Sequence, residues 1–215
     1  IGDFPANIIA PGEISVDAQN LFQIAKVLPD STAHLKLGGQ NRLELTSGSA
    51  WYKIVGLPAE DFPSPQNFDG QSAMTLNAQQ LRWAIDRTAF VVCPDDNRYG
   101  INGAHLEVQE GNDGSPRLRL VATDGHRLAR IDTDLPAGAA GAPGVIVPRK
   151  TGGELRKLLE DDEARINVSV SETKIRFAAE GLTLTSKVID GTFPDYTRVI
   201  PQGNTRKMEV DAQEF

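Results

Sequence analysis

The chain has 215 residues, 40% hydrophobic and 24% charged, with a formal net charge of −7. Its length buries one large core or two ordinary ones, its composition is that of a soluble globular protein, and its acidic balance excludes a protein that simply coats nucleic acid, although it leaves room for a local basic surface. No apolar run approaches the roughly 18 residues of a membrane span, no basic-then-apolar leader opens the chain, and one cysteine, Cys93, beside three histidines gives neither a disulfide framework nor a structural zinc set; the expected location is the reducing cytoplasm, without membrane contact.

The first predicted element is a short strand, Ile14–Val16, running into Asp17, whose side-chain oxygen suits a helix N-cap. Ala18, Leu21, Phe22, Ala25 and Leu28 then share one helical face. Leu35/Leu37 and Leu43/Leu45 alternate apolar-in, polar-out, which predicts strands. Ala50-Trp51-Tyr52-Lys53-Ile54-Val55 adds another, and Pro58–Ser72, with Pro58, Pro63, Pro65 and Gly70, reads as a linker.

The opening pattern then returns. Met74-Thr75-Leu76-Asn77-Ala78-Gln79-Gln80-Leu81 repeats Ile14–Leu21, and Ala78, Leu81, Ala84, Ile85 and Thr88 form the next helical face. Leu118, Leu120 and Ala122 alternate in a strand that ends at the turn signal Asp124-Gly125. Pro136–Gly144, rich in Ala, Gly and Pro, reads as a surface loop. A helix follows Val145–Pro148, with Leu155, Leu158 and Leu159 inward, and its Arg156–Asp161 echoes Ala25–Asp30. Ile166/Val168/Val170, Ile175/Phe177 and Leu182/Leu184 predict three more strands, Pro201–Asn204 a second linker, and Met208–Phe215 a third copy of the strand-and-cap pattern. The fold class is α+β, built from duplicated units of strand, helix and antiparallel strands. The expected division is half a domain (1–71), a complete domain (72–201) and the opening of another (202–215).

Two clusters carry possible chemistry. Asp124 and His126 could serve as the acid–base pair of a hydrolase, but a useful pair needs a nucleophile or metal and a dry pocket. The chain offers no nucleophile elbow, no HExxH and no phosphate-cradling glycine loop. The plainer reading makes Asp124 the cap of its turn. The second cluster is basic. Arg149 and Arg156 are seven residues apart, as are Lys150 and Lys157, so each pair shares a helical face, while Lys26 and Arg82 lie on the other helices. Such a face either lines a surface of one sign or is merely solvated; one reading is a module that grips DNA directly.

Four segments, in order, add a resemblance: Asn97-Arg98-Tyr99-Gly100-Ile101-Asn102-Gly103, Val121-Ala122-Thr123-Asp124-Gly125-His126-Arg127-Leu128-Ala129-Arg130, Val145-Ile146-Val147-Pro148-Arg149-Lys150, and Ser186 through Pro201 with its Gly191-Thr192-Phe193-Pro194-Asp195-Tyr196-Thr197-Arg198-Val199 core. Together they resemble the bacterial DNA sliding clamp, the β subunit of the replicative DNA polymerase III, over nearly the whole chain.

The resemblance implies the DNA-clamp fold, with helices lining one face and sheets outside. It implies three similar domains per full-length chain and a head-to-tail homodimer closed around double-stranded DNA, with this chain as a fragment. The implied protein is a non-enzymatic processivity factor without a cofactor. It implies a pocket for short peptides of the replicative polymerase, the clamp loader and repair proteins, at Ile101, Thr123, Gly125, His126, Arg127, Leu128, Pro194, Arg198 and Val199. One further wall of that pocket comes from the family's C-terminal tail, which this sequence does not include. Arg149, Lys150 and Lys157 are implied to meet DNA phosphates without sequence preference, as are Arg98 and Tyr99, although the second aromatic of the family's loop is Gly100 here. Trp51, Tyr52, Lys53 and Ile54 are implied to form the edge that meets a partner chain.

Overall fold

The computed structural model describes residues 1–2, 4–29, 32–63, 68, 72–159, 161–211 and 213–214. The chain divides into two compact units, a smaller one of residues 4–67 and a larger one of residues 1–3 and 68–215. Residues 64–67 and 69–71 of the expected first linker lie outside the described residues; its start forms a single 3₁₀ turn at Ala59–Asp61.

In the smaller unit, β1 (Ser15–Val16) leads into α1 (Ala18–Ala25), started by the Asp17 side chain accepting the Asn20 N–H at 2.7 Å. Then β2 (His34–Gly38), β3 (Arg42–Ser47) and β4 (Ala50–Leu57) run antiparallel, in the sheet order β1-β4-β3-β2. Leu43 and Leu45 are buried as the alternation predicts. Two expectations fail here. Leu35, 63% exposed, and Leu37 point into no core, and Phe22 is 57% exposed while Leu21, Ile24 and Leu28 are only half-buried. The physical reason is that periodicity defines an apolar face but supplies nothing to cover it. α1 is also shorter than its pattern, so Leu28 lies beyond its last turn.

The larger unit holds two strand–helix–strands units in succession. The first is β5 (Ser72–Asn77), α2 (Ala78–Thr88), β6 (Gly103–Glu110), β7 (Pro116–Thr123) and β8 (Leu128–Asp134). The second is β9 (Val145–Pro148), α3 (Arg149–Leu158), β10 (Arg165–Val170), β11 (Lys174–Ala179) and β12 (Leu182–Lys187). Their opening strands are exchanged. β5 pairs antiparallel with β10 (Leu76 opposite Ile166), and β9 pairs with β6 (Val145 opposite Leu106). The resulting four-stranded sheets are β12-β11-β10-β5 and β8-β7-β6-β9.

Asn77 caps α2 by accepting the Gln80 N–H, and Ala78, Leu81, Ala84, Ile85 and Thr88 are all buried, as expected. The four apolar ones join Leu155 of α3 and the inward residues of both sheets in one core that includes Met74, Val168, Ile175 and Phe177. Three details depart from the sequence reading. Leu158 is exposed, because α3 ends there and only Leu155 and Leu159 turn inward. Ala139, in the expected surface loop, is fully buried in the main core. The third copy of the pattern forms its cap, with Asp211 accepting the N–H groups of Gln213 and Glu214, but no strand forms at 208–210. A strand needs a ladder partner, and no described residue pairs with that segment.

Burial separates the core from the look-alike apolar positions. Ile175→Ala, at a side chain 0% exposed, should cost about 2–5 kcal/mol from transfer and cavity terms. Leu35→Ala should cost less than about 0.5 kcal/mol. Urea denaturation of both variants measures the difference, and equal losses would contradict this core assignment.

Candidate functional site

The β7–β8 hairpin ends in a turn organised by Asp124. Its carboxylate accepts the backbone N–H groups of His126 (2.9 Å) and Arg127 (3.0 Å) and the Arg127 Nε (2.9 Å). These bonds, the Arg127 backbone N–H foremost, hold the carboxyl well below the usual carboxylate range. Asp124 is therefore a turn cap and a poor general base, and it meets the backbone of His126, which leaves the acid–base alternative without a working pair. Thr123 Oγ1 donates to the Arg127 carbonyl and accepts the Gly125 N–H, and Gly125 sits at φ +91°, a conformation that favours glycine. Arg98 Nη1 donates to the Asp124 carbonyl at 2.9 Å, and Arg127 reaches the Phe90 carbonyl and lies 5.6 Å from the Phe90 ring centroid. Thus Arg98, expected at DNA, contacts the turn that carries the expected pocket residues.

Leu128, just past the turn, is half-buried on a second cluster made of Cys93, Ile101, Val121, Ile146, Phe193 and Tyr196. Ile101 is buried in that cluster and not exposed. Phe193 stacks on His105 with centroids 4.9 Å apart and meets Tyr196 edge-on at 6.3 Å. The Tyr196 hydroxyl donates to Glu107 Oε1 (2.6 Å) and accepts from Arg119 Nη1 (3.1 Å), while Arg119 forks onto both carboxylate oxygens of Asp132 at 2.7 and 2.9 Å. That fork raises the Arg119 guanidinium and lowers the Asp132 carboxyl from their ordinary values, and burial raises the Tyr196 phenol. Pro194, Arg198 and Val199 lie exposed, with Val199 67% accessible and Arg198 paired to Asp195 at 2.8 Å.

The sequence reading missed the roles of Arg119, Asp132, Glu107, His105, Phe193 and Tyr196. One of these was within reach. A turn at 124–127 sets the hairpin register that places Arg119 directly opposite Asp132.

The helices supply the other candidate surface. α2 and α3 carry six basic side chains, Arg82, Arg87, Arg149, Lys150, Arg156 and Lys157, against two acidic ones, Asp86 and Glu154. Arg156 pairs with Asp86, Lys157 with Glu154 at 3.0 Å, and Arg82 reaches the Leu159 carbonyl and Asp162. Arg149 and Lys150 are exposed and have no side-chain partner among the described residues. They occupy the first turn of α3, which has no side-chain cap and no acidic residue there. Cations at the positive end of a helix dipole oppose helix stability by about 0.3–1 kcal/mol each, so their placement is not explained by the helix itself. Tyr99 is exposed on the turn that ends in Ile101. On β4, the side away from β3 is paired only at Gly56 and Leu57, leaving 50–55 open among the described residues. Along it Trp51 and Lys53 are exposed, Tyr52 is half-buried and Ile54 is buried.

Comparison with known proteins agrees with this architecture. The family description of the DNA polymerase III beta subunit matches over its central domain at residues 75–195 and over its N-terminal domain at residues 4–66. A beta sliding clamp of Caulobacter vibrioides is 41% identical over 213 residues, covering 98% of this chain and 57% of that protein. Among solved structures, a DnaN sliding clamp from Bartonella birtlesii bound to griselimycin superposes with a TM-score of 0.89 at 41% identity, covering 94% of this chain and 54% of that one. A DnaN sliding clamp from Pseudomonas aeruginosa bound to griselimycin gives 0.84 at 38% identity, covering 91% and 52%. The fold is that of the DNA sliding clamps. The chain belongs to the DNA polymerase III beta subunit family, and it spans a little over half the length of the relatives it matches.

Burial lowers the His105 imidazole from the ordinary value of 6.5, against the opposing pull of Glu107 at 3.8 Å. The folded form therefore favours neutral His105. Its contribution to stability is complete above the unfolded value and is lost as pH falls below it, toward the folded value. The thermal midpoint of the chain should decline from about pH 7.5 to about pH 5.5, and the decline should be shallower in His105→Gln. Equal slopes in the two proteins would show that His105 does not carry the effect.

Proposed function

We propose that this chain forms part of a sliding-clamp processivity factor, whose full-length form closes head to tail with a second copy around duplex DNA. The observation that carries the reading is the basic α2–α3 face in a chain of net charge −7. Arg149 and Lys150, which have no side-chain partner among the described residues, stand at a helix N-terminus, where backbone N–H groups also favour an anion. With Lys157, and with Tyr99 and Arg98 on their turn, they would meet phosphates without reading sequence, as a ring that slides requires. The mechanism is topological. A closed ring does not leave a duplex sideways, so a polymerase tethered to it keeps a high effective concentration at the primer end.

The tether site in this reading is the surface formed by the Thr123–Leu128 turn and the segment bearing Pro194, Arg198 and Val199, with Ile101 as floor. Its apolar members with an arginine rim have the make-up of a peptide pocket. The bound griselimycin of the Bartonella and Pseudomonas relatives supports a ligand site on clamps of this family. Replicative polymerase, clamp loader and repair proteins are the proposed partners. Residues 1–71, 72–201 and 202–215 are read as the second half of a first domain, a complete central domain and the start of a third. The open side of β4 at Trp51–Ile54 is read as the edge that pairs with a partner chain. Among the described residues no helix is long and apolar enough to cross a membrane, and a replication role places the protein in the cytoplasm.

Two experiments test the reading in the full-length gene product. Leu128→Ala and Val199→Ala should each weaken griselimycin binding by about 1–3 kcal/mol if these side chains bury against the ligand. Unchanged affinity in both, with the parent protein binding well, would remove the pocket assignment. Replacing Arg149, Lys150 and Lys157 with alanine should flatten the salt dependence of DNA association by roughly one counterion each. An unaltered salt slope would make them an ordinary solvated face.

A further inference from the structure

Between Phe193 and Val199 the chain alternates between two kinds of residue. Phe193 and Tyr196 are buried, whereas Pro194, Asp195, Thr197, Arg198 and Val199 are all exposed. The segment belongs to no sheet, and its local order comes from a 3₁₀ turn at Tyr196–Val199 and from Asp195, which accepts the Thr197 N–H and pairs with Arg198. Its buried anchors within 193–199 are two aromatic pegs. One, Phe193, is held by stacking on His105. The other, Tyr196, is fixed in direction as well as depth, because its hydroxyl bridges Glu107 and Arg119.

The cost of that bridge is informative. Arg119 is 5% exposed on a sheet face where a leucine would pack without desolvating a charge. A buried ion pair contributes little net stability against an apolar replacement of similar volume. What the Asp132–Arg119–Tyr196–Glu107 chain supplies is geometry: a planar fork fixed by Asp132 presents one N–H to one phenolic oxygen.

We propose that Tyr196 is a positioning residue for peptide binding, and that the Arg119–Asp132 fork and Glu107 lock it so that Pro194 and Val199 are presented in a binding-ready arrangement. The inference rests on the pocket reading above. Tyr196 touches no ligand in this scheme. It acts by ordering the segment before the ligand arrives, so that binding does not bear that ordering cost.

The test measures griselimycin affinity in the full-length protein for Tyr196→Phe, Glu107→Gln, Val199→Ala and the double variant Tyr196→Phe/Val199→Ala, with a thermal midpoint for each. Tyr196→Phe keeps the ring and its packing but removes both hydrogen bonds of the hydroxyl, to Glu107 and from Arg119, and should weaken binding about fivefold to tenfold. Glu107→Gln keeps an oxygen that accepts the phenol and should stay within about twofold of the parent. In the double variant the loss from Tyr196→Phe should largely vanish, because the side chain it positions is gone. If Val199→Ala weakens binding but Tyr196→Phe does not, the positioning role is overturned and the pocket stands. If the two losses simply multiply, Tyr196 supports the fold at large and the inference is also overturned. If Val199→Ala leaves binding intact, the pocket reading fails first and takes the inference with it.

Discussion

The exchange of opening strands between the two halves of the larger unit is the constraint on which the rest depends. β5 carries α2 yet completes the sheet of β10–β12, and β9 carries α3 yet completes the sheet of β6–β8. Each helix is therefore tied by its own N-terminal strand to the sheet of the other half. Neither half can satisfy its backbone ladder alone, and α2 and α3 are drawn into contact over one shared core. The smaller unit shows the contrast. Its opening strand finds a partner over only two residues, Ser15 and Val16, and its helix buries no residue fully.

That exchange also gives the sheet β8-β7-β6-β9 two different faces. Leu118 and Leu120 of β7 and Val145 and Val147 of β9 join the core beneath the helices. Val121 and Ile146, from the alternate positions of the same strands, join the cluster with Phe193 and Tyr196. The period of two that defines a strand thus sends one set of side chains toward the basic helices and the other toward the candidate peptide surface. The basic helices and the Phe193–Tyr196 cluster thus lie on opposite sides of one sheet, while Arg98 sits at the Asp124 turn.

Charge follows the same separation. The helices concentrate cations in an otherwise acidic chain; three of the six, Arg82, Arg156 and Lys157, are tethered by exposed ion pairs worth little in themselves, and Arg87 lies over the Trp83 ring. Arg149 and Lys150 stand outside those pairs at the end of a helix that disfavours them. On the opposite face Arg119 is buried and bonded to Asp132, Tyr196 and the Glu110 carbonyl. Arg119 thus does geometric work, whereas Arg149 and Lys150 are exposed at their helix end.

Wherever the governing interaction is local, the sequence by itself determined the outcome. Asp17 and Asn77 each cap a helix as their oxygen-bearing side chains require, Asp211 accepts two N–H groups of the turn after it, the face Ala78, Leu81, Ala84, Ile85 and Thr88 is buried throughout, and the Asp124–Gly125 turn joins β7 to β8. The pocket candidates at the turn and at 194–199 were named from a motif match, and the structure explains the motif through Asp124 capping its own turn. Only the tertiary structure decided what covers each face. Leu35 and Phe22 have the pattern of core residues and lie exposed, Ala139 lies in a loop and is buried, and Arg119 looks like a surface arginine yet sits at the centre of a network reaching Tyr196 77 residues away. Periodicity and capping depend on neighbours a few residues along the chain, whereas burial depends on which distant segment closes over a face, and in the larger unit that was set by the exchange of strands between its two halves.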